Sequence, residues 1–226
     1  MLGYFLIYVA GFLLSGIWVA SRIFIYSFLT KRKLNVPGYF DTCFAALIPA
    51  TIICLYFNAN PFAVSGIANI RLWCIAIVTV LLVSCIVLTG KRLLSGSKNK
   101  ENSSSTDSRK PLFSNFLDGA FMEIPQRLMM QTFICGLLNK FGMNIYSGIL
   151  INAVVWCSGI IFQAVVMNKE KNAMKLIPEL IASFIFSIGV GYVFLESSCI
   201  FMTMISHAAQ RIVTTLGSYH IRSNRS

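Results

Sequence analysis

Two charged residues, Glu123 and Arg127, stand four positions apart inside an apolar segment that runs from Phe113 to Leu138. Residues i and i+4 of a helix share a face, so the carboxylate and the guanidinium can pair. Ionisable side chains within a membrane span are costly, and they mark either a functional site or a packing contact. The residues alone leave both interpretations open: a site with chemistry, or a structural ion pair that joins helices.

A second polar group, His207, Gln210 and Arg211, lies in the last apolar segment of the chain. At 1.5 Å per helical residue, Glu123 lies roughly 15 Å from Phe113 and His207 roughly 13 Å from Leu216. We therefore expect the carboxylate and the imidazole at similar depths on different helices. A histidine in this setting either donates an interhelical hydrogen bond or takes part in catalysis.

The composition indicates a polytopic membrane protein. Hydrophobic residues make up 56% of the chain and charged residues 12%, whereas soluble domains carry roughly 25% charged residues. The net charge of +11 would point to nucleic acid in a soluble protein. Here most cations lie between apolar segments, where they orient helices in a bilayer, so no nucleic-acid partner is predicted.

The seven cysteines all fall within apolar segments and form no CxxC pair. They also keep no metal-ligand spacing with His207 or His220. Buried thiols that act as small hydrophobic groups explain this pattern, and we predict no disulfide framework.

Hydropathy predicts an all-α fold with about seven transmembrane helices. A helix needs about 20 apolar residues to cross a bilayer. The predicted spans are 2–29, 39–57 (with Pro49 as a kink), 72–90, 113–138, 144–167, 176–195 and 198–216. Residues 62–71 are apolar but short, and we expect them at the membrane interface.

The same pattern divides the chain into four parts. These are a three-span region (1–90), a basic Ser/Asn-rich loop (91–112), a core (113–216) and a tail (217–226). The loop has too little apolar surface to fold and is interpreted as a flexible connector or a polybasic lipid-binding segment. Basic connectors face the cytoplasm, which predicts the N-terminus outside and the C-terminus in the cytoplasm.

Three short motifs in the core resemble those of the CAAX-protease and bacteriocin-processing family of intramembrane proteases (the CPBP or Abi family). The family motifs are Glu-Glu-x-x-x-Arg, Phe-x-x-x-His, and His-x-x-x-Asn or a similar residue. They correspond in order to Met122–Arg127, Phe162–Val166 and His207–Arg211. The resemblance covers residues 113–216 and implies a four-helix core. It implies Glu123, Arg127 and His207 as catalytic candidates, and as binding candidates Phe162, Gln163, Gln210 and Arg211.

Departures from the family pattern remove groups that its chemistry needs. Met122 stands where the family has its first glutamate, and Val166 stands where it has a histidine. Arg211 replaces a small polar residue. A zinc hydrolase uses about three protein ligands and one open position. We therefore predict no cofactor, and zinc would be required only if the family mechanism survives.

The favoured hypothesis is a non-catalytic or weakened relative in the plasma membrane, or in the endoplasmic reticulum of a eukaryote. It would contact membrane lipid and bind a peptide, a lipid or a partner helix. The alternative is an active intramembrane peptidase that uses Glu123 and His207, with Gln163 or Gln210 placing the water. A small transporter is a lesser alternative that draws on the span count and the buried charges.

Overall fold

The fold is all-α, as the hydropathy predicts. The computed structural model describes residues 1–33, 37–96, 112–166 and 173–223. Within these ranges the regular structure is helical apart from one isolated antiparallel bridge between Phe62 and Cys199. The longer helices are α1 (Leu2–Lys31), α2 (Gly38–Tyr56), α3 (Ile70–Gly96), α4 (Leu112–Glu123), α5 (Thr132–Lys140), α6 (Ser147–Val166), α7 (Ala173–Ser197) and α8 (Ile200–Ser223). A 3₁₀-helix spans Val64–Ala68, and a π-helix spans Ile124–Gln131.

Five of the described helices, α1, α2, α3, α6 and α7, are long and apolar enough to cross a membrane. The chain is therefore an all-α membrane protein, while the count of seven spans stays a prediction. The other two predicted spans are 113–138 and 198–216. The first coincides with α4, the π-helix and α5, and no single one of these helices is long enough to cross. The second coincides with α8, whose hydropathy is reduced by its polar residues.

The predicted span 113–138 is helical throughout, but it is not one regular α-helix. The eight residues Ile124–Gln131 form a π-helix between α4 and α5. Pro125 supplies a physical reason, because it has no N–H and its ring clashes with the carbonyl four residues earlier in an α-helix. The wider π turn accommodates that ring, and the Thr132 hydroxyl donates to the Arg127 carbonyl five residues back at 3.0 Å. Such π segments occur frequently at functional sites.

The π-helix and α5 lie at the centre of the packing. Met129, Met130, Ile134 and Leu138 are fully buried there. Helices α1 and α2 cover this segment from one side, and α7 and α8 contact it from another. Helix α3 packs on α7 and α8. The three N-terminal helices therefore contact the core directly, and the division at residue 90 stays a prediction.

Several connector predictions change in detail. The interfacial stretch 62–71 contains the short 3₁₀-helix, and its backbone bonds to the α7–α8 turn: the Ala63 N–H donates to the Ser198 carbonyl at 3.1 Å. Helix α3 continues to Gly96, so the basic loop is shorter than 91–112, and residues 97–111 lie outside the described ranges. Helix α8 continues to Ser223, so most of the predicted tail is helical.

Candidate functional site

A buried polar cluster forms where α4, the π-helix and α8 meet. Glu123 is the last residue of α4, Arg127 lies in the π-helix, and His207 lies in α8. Glu123 and Arg127 are 0% exposed and His207 is 7% exposed. Arg127 Nε donates to Glu123 Oε2 at 3.0 Å, and His207 Nδ1 lies 2.6 Å from Glu123 Oε1. The structure thus brings the three catalytic candidates together, with Glu123 in direct contact with both Arg127 and His207.

The cluster also ties the π-helix to α7. Arg127 Nη1 donates to Gln131 Oε1 at 2.9 Å and to the Ser187 carbonyl at 3.2 Å. Gln131 Nε2 then donates to the Gly191 carbonyl at 2.7 Å. Gln126 Nε2 lies 3.4 Å from Ser187 Oγ. Three separate parts of the chain are therefore held together by charge-assisted or buried hydrogen bonds, the stronger classes of such bonds.

Two glycines allow the helices to approach closely enough for these bonds. A Cβ on Gly119 of α4 would lie 3.0 Å from the His207 carbonyl oxygen, so α8 sits directly on α4. A Cβ on Gly191 of α7 would lie 3.0 Å from Arg127 Nη1. Larger residues at either position would push the adjoining group away from the cluster.

His207 is oriented as a carboxylate-paired imidazole. An ionised carboxylate can only accept hydrogen bonds, so Nδ1 carries the proton toward Glu123, and the neutral ring leaves Nε2 as an acceptor. The Phe186 ring packs against the imidazole with centroids 4.7 Å apart. This geometry fixes the orientation and the tautomer of the imidazole. A structural hydrogen bond and a proton-accepting role both require such a fixed ring.

The binding candidates lie apart from the cluster. Phe162 is 53% exposed and packs edge-on against Phe12 of α1, with centroids 6.3 Å apart. Gln163 is half-buried one residue later on α6. In the described ranges neither residue makes a polar contact with Glu123 or His207. The second motif therefore lies apart from the first and third motifs. The position of the Val166 side chain lies outside the described residues.

The remaining two candidates follow His207 on α8. Gln210 is buried. Arg211 lies against α4, where its Cγ would be 2.8 Å from a Cβ on Gly119. The carboxylates of Asp118 and Glu179 act on the Arg211 guanidinium electrostatically. Arg211 therefore lies beside the cluster, with Asp118 and Glu179 as its nearby carboxylates.

Sequence reasoning missed three buried polar residues around the cluster, Gln126, Gln131 and Ser187, and a fourth, Asn152, on α6. Gln131 carries a signal, since it stands four residues after Arg127. Ser187 accepts from Arg127 through its backbone carbonyl, which no side-chain pattern reveals. Asn152 on α6 is fully buried, and its amide atoms have no hydrogen-bond partner among the described residues.

The donor set does not fit a zinc centre. Within the described ranges no three His, Cys, Asp or Glu side chains come together as metal ligands. Glu123 and His207 are the members of that set in the cluster, and each already bonds the other. We therefore derive no chemical step through a metal.

Comparisons with protein-family models, with curated proteins and with solved structures found no match. The resemblance to the CPBP family rests on the three short motifs and stays a prediction.

Proposed function

We propose that the chain is a multi-pass membrane protein with a CPBP-like core that binds a peptide, a lipid or a partner helix without cleaving it. The proposal includes seven spans in the plasma membrane, with the N-terminus outside. One observation carries it above all. Both carboxylate oxygens of Glu123 are engaged, Oε2 by Arg127 and Oε1 by His207, in a group that is 0% exposed.

A general base must reach its proton within about 3 Å, directly or through one water. Glu123 would first have to release Arg127 or His207 and then admit water to a site packed on every side. Releasing Arg127 leaves a charge without its ionic partner in a buried environment, which is the costly outcome for such a pair. Met122, the neighbour in the family's first catalytic position, carries a thioether with no basic site. The geometry therefore favours a cluster that joins helices.

A second candidate is an active peptidase, and the contact between Glu123 and His207 favours it. A carboxylate that holds Nδ1 of a histidine leaves Nε2 free to accept a proton, as in other hydrolytic sites. In this alternative Glu123 orients the imidazole, and His207 is the base that activates water. No specific contact in the described residues favours the small-transporter alternative.

Glu123→Gln and Glu123→Ala separate the two candidates. Glutamine keeps an oxygen that accepts from Arg127 but removes the negative charge that pairs with this buried cation, so we expect this variant to accumulate below the parent level and above Glu123→Ala. Alanine removes both bonds, and we expect markedly lower abundance. Purified parent and Glu123→Gln proteins should show the same background in a peptidase assay, and metal analysis should find no stoichiometric zinc.

Glu196→Gln is the matched control, because this glutamate is exposed and bonds Tyr146 at the end of α7. Cleavage that is present in the parent and in Glu196→Gln but absent from an equal amount of purified, folded Glu123→Gln protein would overturn the proposal. It would identify the cluster as an active site.

A further inference from the structure

A groove of about 640 Å³ runs between α1 and α2, and its floor is Met129 of the π-helix. We call it the α1/α2 groove. Its walls are large apolar side chains, most of them exposed: Ile17, Trp18, Phe24, Phe44 and Ile48. On α1 the groove extends from Leu14 to Ile25, roughly 16 Å at 1.5 Å per residue. The length and the apolar walls of the α1/α2 groove match an extended hydrocarbon chain.

One side of the groove carries a cation. Arg22 lies over the ring of Trp18 at 5.5 Å, and Trp18 lines the groove. Arg22 Nε donates to Asp41 Oδ2 at 3.1 Å, and the arginine side chain is 34% exposed. Among the described residues, the terminal Nη groups of Arg22 have no hydrogen-bond partner. These two NH₂ groups remain as hydrogen-bond donors beside the apolar groove.

The Arg22–Asp41 pair lies near the start of α2, and Tyr56 is the last residue of that helix. Asp41 and Tyr56 are separated by roughly 22 Å at 1.5 Å per residue, which is shorter than the hydrocarbon thickness of about 30 Å. Tyr56 accepts a hydrogen bond from Lys140 Nζ at 2.7 Å. Tryptophan, tyrosine and cations are enriched at the two membrane interfaces, so the Arg22 end and the Tyr56 end correspond to opposite interfaces.

We propose that the α1/α2 groove binds one acyl chain of an anionic phospholipid, with the lipid phosphate on the Nη groups of Arg22. Charge supports an anionic headgroup. Asp41 pairs with Arg22, and two further cations, Lys31 and Arg32, follow at the end of α1. Guanidinium groups bind phosphate with two parallel hydrogen bonds. The inference is independent of whether the core cleaves peptides.

Trp18 supplies a reporter for the test. A Trp73→Phe/Trp156→Phe parent keeps Trp18 as the single tryptophan of the full chain. The protein is reconstituted in phosphatidylcholine vesicles that contain a minor fraction of lipid with brominated chains, either phosphatidylglycerol or phosphatidylcholine. Bromine quenches tryptophan fluorescence on contact. We expect brominated phosphatidylglycerol to quench Trp18 with roughly fivefold higher apparent affinity, from about 1 kcal/mol per surface cation.

Arg22→Gln/Asp41→Asn removes the phosphate ligand without leaving Asp41 buried and unpaired, and it should bring the ratio of apparent affinities close to one. Ile48→Tyr, at a 70% exposed wall position, should reduce quenching by both lipids. Lys140→Gln is the matched control at the opposite interface and should leave the ratio unchanged.

Equal quenching by the two lipids in the parent would overturn recognition of the headgroup. Absence of quenching by either lipid in a folded parent would overturn the proposal that an acyl chain occupies the groove. A ratio that falls equally in Lys140→Gln would show that general membrane charge, and not Arg22, sets the preference.

Discussion

Arg127→Leu is expected to abolish or strongly reduce accumulation of the protein in the membrane. Leucine removes the hydrogen bonds that Arg127 donates to Glu123 Oε2, Gln131 Oε1 and the Ser187 carbonyl. It also leaves Glu123 as a fully buried carboxylate without its cation. Breaking a buried ion pair from one side costs about 3–5 kcal/mol, a large part of the roughly 5–15 kcal/mol that stabilises an ordinary domain.

The matched control is Arg71→Leu, which makes the same substitution at an exposed arginine on α3. Abundance by immunoblot and thermal unfolding in detergent should be close to the parent values for this control. Glu123→Leu/Arg127→Leu should recover part of the lost abundance, because neither buried charge remains. Normal accumulation of Arg127→Leu alone would show that the Glu123–Arg127 pair contributes little to stability.

Gly119→Leu is expected to produce the second large effect. The added Cβ would lie 3.0 Å from the His207 carbonyl oxygen and 2.8 Å from Arg211 Cγ. The arginine side chain can move, whereas the carbonyl belongs to the backbone of α8, so the whole helix must shift. Overpacking of this kind costs about 1–3 kcal/mol or more, and the shift would also lengthen the 2.6 Å contact between Glu123 and His207.

Gly16→Leu is the control for this substitution, since a Cβ on Gly16 of α1 meets no atom within 4 Å. Gly119→Ala should fall between the parent and Gly119→Leu in thermal unfolding. Equal midpoints for Gly119→Leu and Gly16→Leu would contradict the close contact between α4 and α8.

Hydropathy predicts the five apolar helices to within a few residues, because burial in lipid leaves a strong and continuous signal. It does not predict the π-helix, since the width of a helical turn at Pro125 depends on which neighbouring groups can donate hydrogen bonds to the displaced carbonyl groups. A proline in a membrane helix signals an irregularity without specifying its form.

Part of the cluster could also be predicted. The spacing of Glu123 and Arg127 predicts their pairing, and helix depth predicts that His207 reaches the same level. The acceptors on α7 could not be predicted, because they are the backbone carbonyls of Ser187 and Gly191. Every residue offers such a carbonyl, so only the packing of α7 decides which two are used.

The order of synthesis gives the local ion pair a role during biogenesis. Glu123 and Arg127 are four residues apart and emerge from the ribosome together. Ser187 follows Arg127 by 60 residues, and His207 follows Glu123 by 84. At about 5–20 residues per second, both charges must wait several seconds in or near the membrane before those partners exist. Because Glu123 and Arg127 neutralise each other during those seconds, the free-energy cost of holding their charges in the membrane is lower. Helices α7 and α8 then complete a site whose charges are already paired.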